Sequence, residues 1–403
     1  MSSLPSILSE RIEAVAGADP ELRPATKPQF GHFQSNVALR LAKQEGAKPR
    51  DVAQRIVGAL NLDDLCEPPE IAGPGFINFR LRTDVLAHAV DQQLADPHAG
   101  IAWVDDPKTV VIDYSSPNVA KQMHVGHLRS TIIGDCFNRV LSAQGNRVLA
   151  QNHIGDWGRQ FGMLIEQVTD EMLDLDTLDL PGAEALYRRA NTHLNEDEAF
   201  AERARERVVK LQSGDPETRA SWQRLIKISL AGFNRTYQRM NVLLTDEDVA
   251  GESAYNEMLG QVADDLEARG IAVQDGGALV VFVDGVDAPA IIRNSTGGYG
   301  YDATDVAAIR FRVNELGAER IIYVTDARQA HHFQLVFAVA RMAGYLPDDV
   351  QAQHVGFGMV LGPGGTPIKT RDGGAVTLES LLDAAEEHAV PEIALAAIKY
   401  ADL

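Results

Sequence analysis

Residues 117–127 read PNVAKQMHVGH, and the place of this stretch in the chain decides the fold. The apolar residues 110–114 before it read as a strand, and the amphipathic residues 128–140 after it read as a helix. His124 and His127 therefore fall at a helix N-terminus, just past the carboxyl end of a parallel strand. Open α/β sheets bind nucleotides at this position. The helix end offers unpaired N–H groups and a partial positive charge to phosphate. Two imidazoles three residues apart share a face and can donate to the same oxygens. Gly126 between them carries no side chain, so a flat base or ribose is expected to come close there.

Two other readings of the motifs fail on chemistry. A zinc pair needs a third ligand and a nearby general base, as in HExxH, and neither is supplied. The stretch GPGGTPIKT (residues 362–370) has the glycines of a phosphate loop. A Walker A loop needs Gly directly before its Lys, however, and Ile368 stands there.

Working outward, further strands are predicted at residues 147–151, 321–325 and 354–360. Their alternation with helices predicts an α/β, doubly wound, Rossmann-like parallel sheet. A helical, charged insertion starts near residue 166 and runs to about 273, and a short β segment (278–293) completes it. Residues 1–100 read as a separate small α+β domain. Helical patterns at 7–15, 38–43 and 49–60 alternate there with short strands near Phe30 and Ile77. Residues 101–403 form the larger domain.

Composition bounds the rest. A chain of 403 residues suits two or three domains. No apolar run approaches the ~20 residues of a membrane span, and the charges in the N-terminal helix argue against a secretory signal. Cys66 and Cys136 read as buried thiols of a reducing compartment. A cytoplasmic, monomeric protein with no membrane association is expected. The net charge is −20. Residues 201–240 run the other way, with nine Lys/Arg against four Asp/Glu. That stretch is either an RNA face or a solvated helix with i,i+4 pairs.

The stretch YSSPNVAKQMHVGHLRSTIIGD (residues 114–135) resembles the HIGH signature of class I aminoacyl-tRNA synthetases, in the version found in arginyl-tRNA synthetases. NHIGDWGRQFG (152–162), YGYDATD (299–305), IYVTDARQAHH (322–332) and FGMVLGPGGTPIKTRDGG (357–374) continue the resemblance in the family's order, over essentially the whole chain. It implies an arginine–tRNA ligase that uses ATP with Mg²⁺, arginine and tRNA(Arg). The carboxylate of arginine attacks the ATP α-phosphate, and the arginyl group then passes to the 3′ end of tRNA.

Positions carry over one by one. His124, His127, Lys121, Lys369 and Arg371 are the expected catalytic cations and donors around the phosphates. Lys121 takes the place of a lysine that many arginyl enzymes lack in their KMSKS loop. ATP is expected against His124, Gly126, His127, Phe357, Met359 and Lys369. Arginine is expected against Asp113, Asn118, Tyr301, Asp305 and Gln329, because carboxylates read a planar guanidinium through paired charge-assisted bonds. Asp156 and Trp157 brace the site, and His331 and His332 are expected to start or pack a helix. The first domain resembles the family's tRNA-elbow-binding domain, with Phe76 and Asn78 at base-contacting positions. Where the family continues into a helical anticodon-binding domain, this chain ends at Leu403. The expectation is that this domain is absent, either because the chain is a piece of an ordinary enzyme or because it is a natural catalytic-core paralog. Two further readings stand beside the ligase: a catalytic-core paralog that activates arginine for a non-tRNA acceptor, and a non-catalytic binding module. Intact His124, His127, Lys121 and Lys369 count against the second.

Overall fold

The computed structural model describes residues 3–96, 98–286, 288–361, 365 and 376–403. It divides into two units, Met1–Val104 and Asp105–Leu403.

The first unit is α+β. Helix α1 (Leu4–Ala16) is capped by the Ser3 hydroxyl and stops at Gly17, whose φ of 66° suits glycine. Strands β1 (Leu22–Pro24) and β2 (Phe33–Ser35), helices α2 (Val37–Glu45) and α3 (Pro49–Ala59), and strands β3 (Glu70–Ala72) and β4 (Phe76–Phe79) follow. The antiparallel sheet runs β1-β2-β4-β3. Alternation along FINF sends Ile77 and Phe79 into a core with Leu8, Ile12 and Ile56. Phe76 and Asn78 share the opposite face. There Asn78 is buried rather than at an edge, because β4 is an inner strand, and Gln34 Nε2 donates to its Oδ1 at 2.7 Å. The Asn78 side-chain carbonyl is thus engaged within the sheet. Helix α4 (Thr83–Ala95) ends the unit. It buries no residue, so its apolar pattern had no core stripe to reveal it.

The second unit is built on four parallel strands. These are β5 (Thr109–Asp113), β6 (Arg147–Gln151), β10 (Arg320–Asp326) and β11 (Gln351–Phe357), in the order β6-β5-β10-β11. Val111, Ile321 and Tyr323 point to one face, under α10 (Asn256–Ala268), α11 (Tyr301–Asn314) and α12 (Ala330–Met342). Val110, Ile112, Ile322 and Val324 point to the other, under α5 (Val125–Ala143). Such strict alternation, with both faces covered, gives the doubly wound arrangement. The chain leaves β5 toward β6 and returns on the far side to β10, so the crevice opens at the carboxyl ends of β5 and β10. Between β6 and β10 lie helices α6 (Arg159–Asp170), α7 (Leu180–Glu196), α8 (Glu198–Ser213) and α9 (Pro216–Arg239). After α10 comes a three-stranded sheet of β7 (Val273–Asp275), β8 (Ala278–Val281) and β9 (Ala290–Arg293). Helices α13 (Leu378–Glu386) and α14 (Pro391–Asp402) close the unit.

Two sequence expectations need correction, and the structure bears on a third point that the sequence leaves open between two readings. Strand β11 spans 351–357 rather than 354–360, because its pairing with β10 runs only from Arg320↔Gln351 to Asp326↔Phe357. Helix α5 starts at Val125, not at 128, because His124 caps it. Several arginines of the basic stretch 201–240 are ion-paired within the insertion and its neighbours. Arg203 and Arg207 grip Glu166, Arg205 pairs with Glu202, and Arg239 with Asp383 and Glu386. The solvated, ion-paired reading describes those side chains.

Candidate active site

The loop after β5 turns sharply. Ser115, Ser116 and Ala120 take φ of 72°, 48° and 59°, values that side chains other than glycine adopt only when held. A buried polar network holds them. Ser115 Oγ lies 2.8 Å from Tyr237 Oη and 2.9 Å from Thr131 Oγ1, and Ser116 N donates to Asn152 Oδ1 at 3.1 Å. Asn152 belongs to NHIGDWG, whose Asp156 in turn accepts from the amide and hydroxyl of Ser253. The two motifs are thus one scaffold.

That turn delivers the two histidines to the mouth of the crevice. His127 Nδ1 accepts from His124 N at 3.1 Å, and His124 Nδ1 accepts from Gly126 N at 3.0 Å. Each accepting Nδ1 carries no hydrogen, so each neutral ring has its proton on Nε2. Burial keeps both rings from protonating. The His127 value is pushed down to about 3, and the positive neighbourhood of His124 and Lys121 adds to this. His124 is lowered too, again chiefly by burial. The pair therefore offers two neutral N–H donors at the start of α5, with ring centres 4.1 Å apart.

Two expectations change at this corner. A Cβ on Gly126 would meet the His124 ring at 2.7 Å, so the missing side chain makes room for that imidazole rather than for a base. Lys121 is carried toward the insertion by the left-handed turn, and its ammonium sits 4.3 Å above the Tyr187 ring. It does not line the cleft that holds the histidines.

That cleft, about 830 Å³, is lined by Asp113, Asn118, His124, Gly126, His127, Tyr301, Asp305, Gln329 and Phe357 among others. Nine of the expected site residues are thus brought together. Met359 lies just past β11 and is half-exposed, outside this lining. Lys369 and Arg371 lie outside the described residues. The downstream flank of their loop pairs with the histidine corner: Val125 N donates to Val376 O, and Leu378 N to Met123 O.

Asp113 has an internal partner that the sequence did not reveal. Fully buried Arg312 of α11 places Nη2 2.6 Å from its Oδ2, and Ser116 Oγ donates to its Oδ1 at 3.0 Å. Arg312 also reaches Gln151 Oε1 at 2.6 Å and stacks over Tyr323. An internal guanidinium therefore already engages one oxygen of this carboxylate, although Asp113 and Asp305 both line the cleft.

Sequence reasoning missed Arg312, Glu252 and His332. Arg312 sits one turn after Ile309 on the buried stripe of α11, and a charge in such a stripe was the available signal. Glu252 lines the cleft, and burial with neighbouring Asp156 and Asp305 pushes its carboxyl up to about 7. No local pattern marked it. His332, expected as a packing residue, lines the cleft and bonds two carboxylates.

A parallel nucleotide fold with paired imidazoles at a helix start and an acidic slot beside them points to one class. The family model described as "tRNA synthetases class I (R), catalytic domain" matches residues 89–402. The model described as "Arginyl tRNA synthetase N terminal domain" matches residues 2–81. An arginine–tRNA ligase of Cutibacterium acnes is 67% identical over all 403 residues, which span 72% of that relative. One from Actinobacillus succinogenes is 44% identical, with 100% of this chain and 75% of that relative covered. The crystal structure of arginyl-tRNA synthetase from Plasmodium falciparum superposes with a TM-score of 0.72 at 28% identity, covering 99% of this chain and 71% of that one. The Thermus thermophilus arginyl-tRNA synthetase shares the fold at a TM-score of 0.73 and 24% identity, over 100% of this chain and 75% of that one. The chain belongs to the arginyl-tRNA synthetase family.

Proposed function

We propose that the chain is an arginine–tRNA ligase, forming arginyl-adenylate from arginine and ATP and passing the arginyl group to the 3′ end of tRNA(Arg). The observation that carries the reading is the convergence, in one cleft, of two Nε2–H imidazoles at a helix start with the slot of Tyr301, Asp305 and Gln329.

In the first step an arginine carboxylate oxygen bonds to the ATP α-phosphorus, and the bond to the β-phosphate bridging oxygen breaks, releasing pyrophosphate. Charge builds on the phosphate oxygens, and donors placed beforehand stabilise it. His124 and His127 supply these donors, supported by the N-terminus of α5. The resemblance assigns Lys369 and Arg371 to the pyrophosphate side, and residues 376–378 downstream of them pair with residues 123–125. Mg²⁺ accompanies ATP and is held mainly by the phosphates; among the described residues no group of three acidic, His or Cys side chains offers a cage.

Asp305 takes the guanidinium, Tyr301 packs against it, and Asn118 and Gln329 hold the backbone amine and carboxylate. In the second step a ribose hydroxyl of the tRNA terminus attacks the carbonyl, and AMP leaves. A neighbouring cavity of about 920 Å³ shares Glu252, Tyr301 and Thr304 with the cleft and exposes Trp157, Tyr187 and Tyr299. Aromatic walls of this kind suit a stacked terminal base. In the first unit, half-buried Phe76 offers a second stacking face.

Arginine-dependent pyrophosphate exchange, with and without tRNA, followed by transfer to tRNA, tests the reading. The expected result is exchange that needs tRNA and stable aminoacylation. Exchange without tRNA and without transfer would point to another acceptor, and no exchange at all would remove the ligase assignment. His127→Ala is expected to slow adenylation about 100-fold while sparing arginine affinity.

A further inference from the structure

One imidazole is set between two carboxylates at the arginine end of the cleft. His332 Nε2 lies 2.6 Å from Asp305 Oδ2, and its Nδ1 lies 3.2 Å from Asp302 Oδ1. A neutral imidazole has one N–H and one lone pair. Between two carboxylates it would aim that lone pair at an oxygen, whereas the imidazolium donates to both. Burial opposes the charged form, but the bonds to Asp302 and Asp305 outweigh it and hold the proton up to about pH 9. The other oxygen of Asp302 accepts from Ile291 N at 2.8 Å, so Asp302 is fully engaged. Asp305 Oδ1 carries no hydrogen bond among the described residues, and both Asp305 and His332 line the cleft.

The remaining charges facing this ring are accounted for. Asp326, the last residue of β10, and Arg328 just after it pair with each other at 2.8 Å. His354 of β11 has its proton affinity lowered, first by burial. Glu252 has its carboxyl raised by burial, with Asp156 and Asp305 adding to it.

We propose that His332 is the positioning and specificity residue of the arginine slot: as a bridging imidazolium it pins Asp305 with Oδ1 free for the incoming guanidinium, and it leaves the trio with one negative charge to match one positive head. The proposal rests on the arginine reading above. Asp302 sets the ring, the ring sets Asp305, and Asp305 meets the substrate. Without the imidazolium, two carboxylates face each other across the vacated space. Like charges in a half-buried site drive one to take up a proton, and the acceptor aimed at the guanidinium is lost even though the nominal charge is more negative. Lysine presents a compact ammonium that needs no oriented acceptor, so discrimination should suffer along with affinity.

The test uses the whole chain, with calorimetry of arginine and lysine binding, and NMR of the histidine side chains. The His332 resonance is assigned by its loss in His332→Gln. It is expected to titrate near pH 9 in the wild type; titration near 6.5 overturns the bridge whether or not the protein is active. His332→Gln is expected to weaken arginine about tenfold, to narrow the arginine-over-lysine preference, and to leave ATP binding within twofold. His332→Lys, which keeps a cation between the carboxylates, is expected to recover part of the loss. It should also lack the wild type's extra decline in arginine affinity above pH 9. The α-amino group of arginine titrates in that range for both proteins, so the difference between the two profiles is the reading. Unchanged arginine affinity in His332→Gln, or equal loss of arginine and ATP, overturns the proposal. A wild-type chain that binds no arginine instead brings down the functional reading on which it stands.

Discussion

The proton on each imidazole of the HxGH corner is assigned by the backbone. Amide donors hold both Nδ1 atoms, so each ring carries its proton on Nε2 as a neutral donor until a phosphate arrives to favour the charged form. A different balance governs Glu252. Its carboxyl is raised by burial, and by Asp156 and Asp305, to about 7, above the ordinary value of about 4.3. A group raised on folding contributes stability that is complete below its unfolded value and is lost as pH rises through the folded one. Urea unfolding at pH 5 and pH 8 should therefore show a loss in the wild type that Glu252→Gln reduces by about 2–3 kcal/mol. An equal pH dependence in the variant would refute the assignment. The Arg312–Asp113 pair is a second residue-scale case. Arg312→Met strands a buried carboxylate and is expected to cost about 3–5 kcal/mol. Pairing it with Asp113→Asn should recover much of that, as read by denaturant midpoint.

At the scale of the element, α5 carries the phosphate donors, and its distance from β5 decides where they stand. Gly134 sets that distance: a Cβ there would fall 2.3 Å from Cβ and Cγ of Tyr114. Helix propensity alone favours Gly134→Ala by about 1 kcal/mol. Overpacking against a buried ring costs about 1–3 kcal/mol, and here the clash is with atoms next to the backbone, which cannot swing away. The variant is therefore expected to be net destabilised by unfolding measurements. It should also adenylate more slowly, because Tyr114 adjoins the Ser115 turn. A stabilised Gly134→Ala would show that α5 can lift off the sheet without consequence.

Over the whole molecule, the two units have separate cores. Leu8, Ile12, Ile56, Ile77 and Phe79 pack among themselves in the first. The second buries both faces of its parallel sheet. Residues 1–104 expressed alone are expected to unfold cooperatively in urea. Ile77→Ala should lower that transition by about 2–4 kcal/mol; a non-cooperative fragment would mean that the first core depends on the second unit. The net charge of −20 suits a cationic amino acid more than a polyanion. Contacts to RNA must then come from local groups within roughly 8–10 Å of a phosphate.

By itself the sequence determined the alternation of strands and helices, the place of His124 and His127 at a helix start, and the family, because these depend on local periodicity and contiguous motifs. It also placed Asn118, Tyr301, Asp305 and Gln329 in motifs that the fold gathers into one cleft. Only the tertiary structure decided what each charge faces. Arg312 comes from 199 residues away to claim Asp113, His332 crosses from α12 to claim Asp302 and Asp305, and a strained turn sends Lys121 toward Tyr187. Charge partnership is a distance in space, and linear order carries no record of it until the sheet closes and water is expelled.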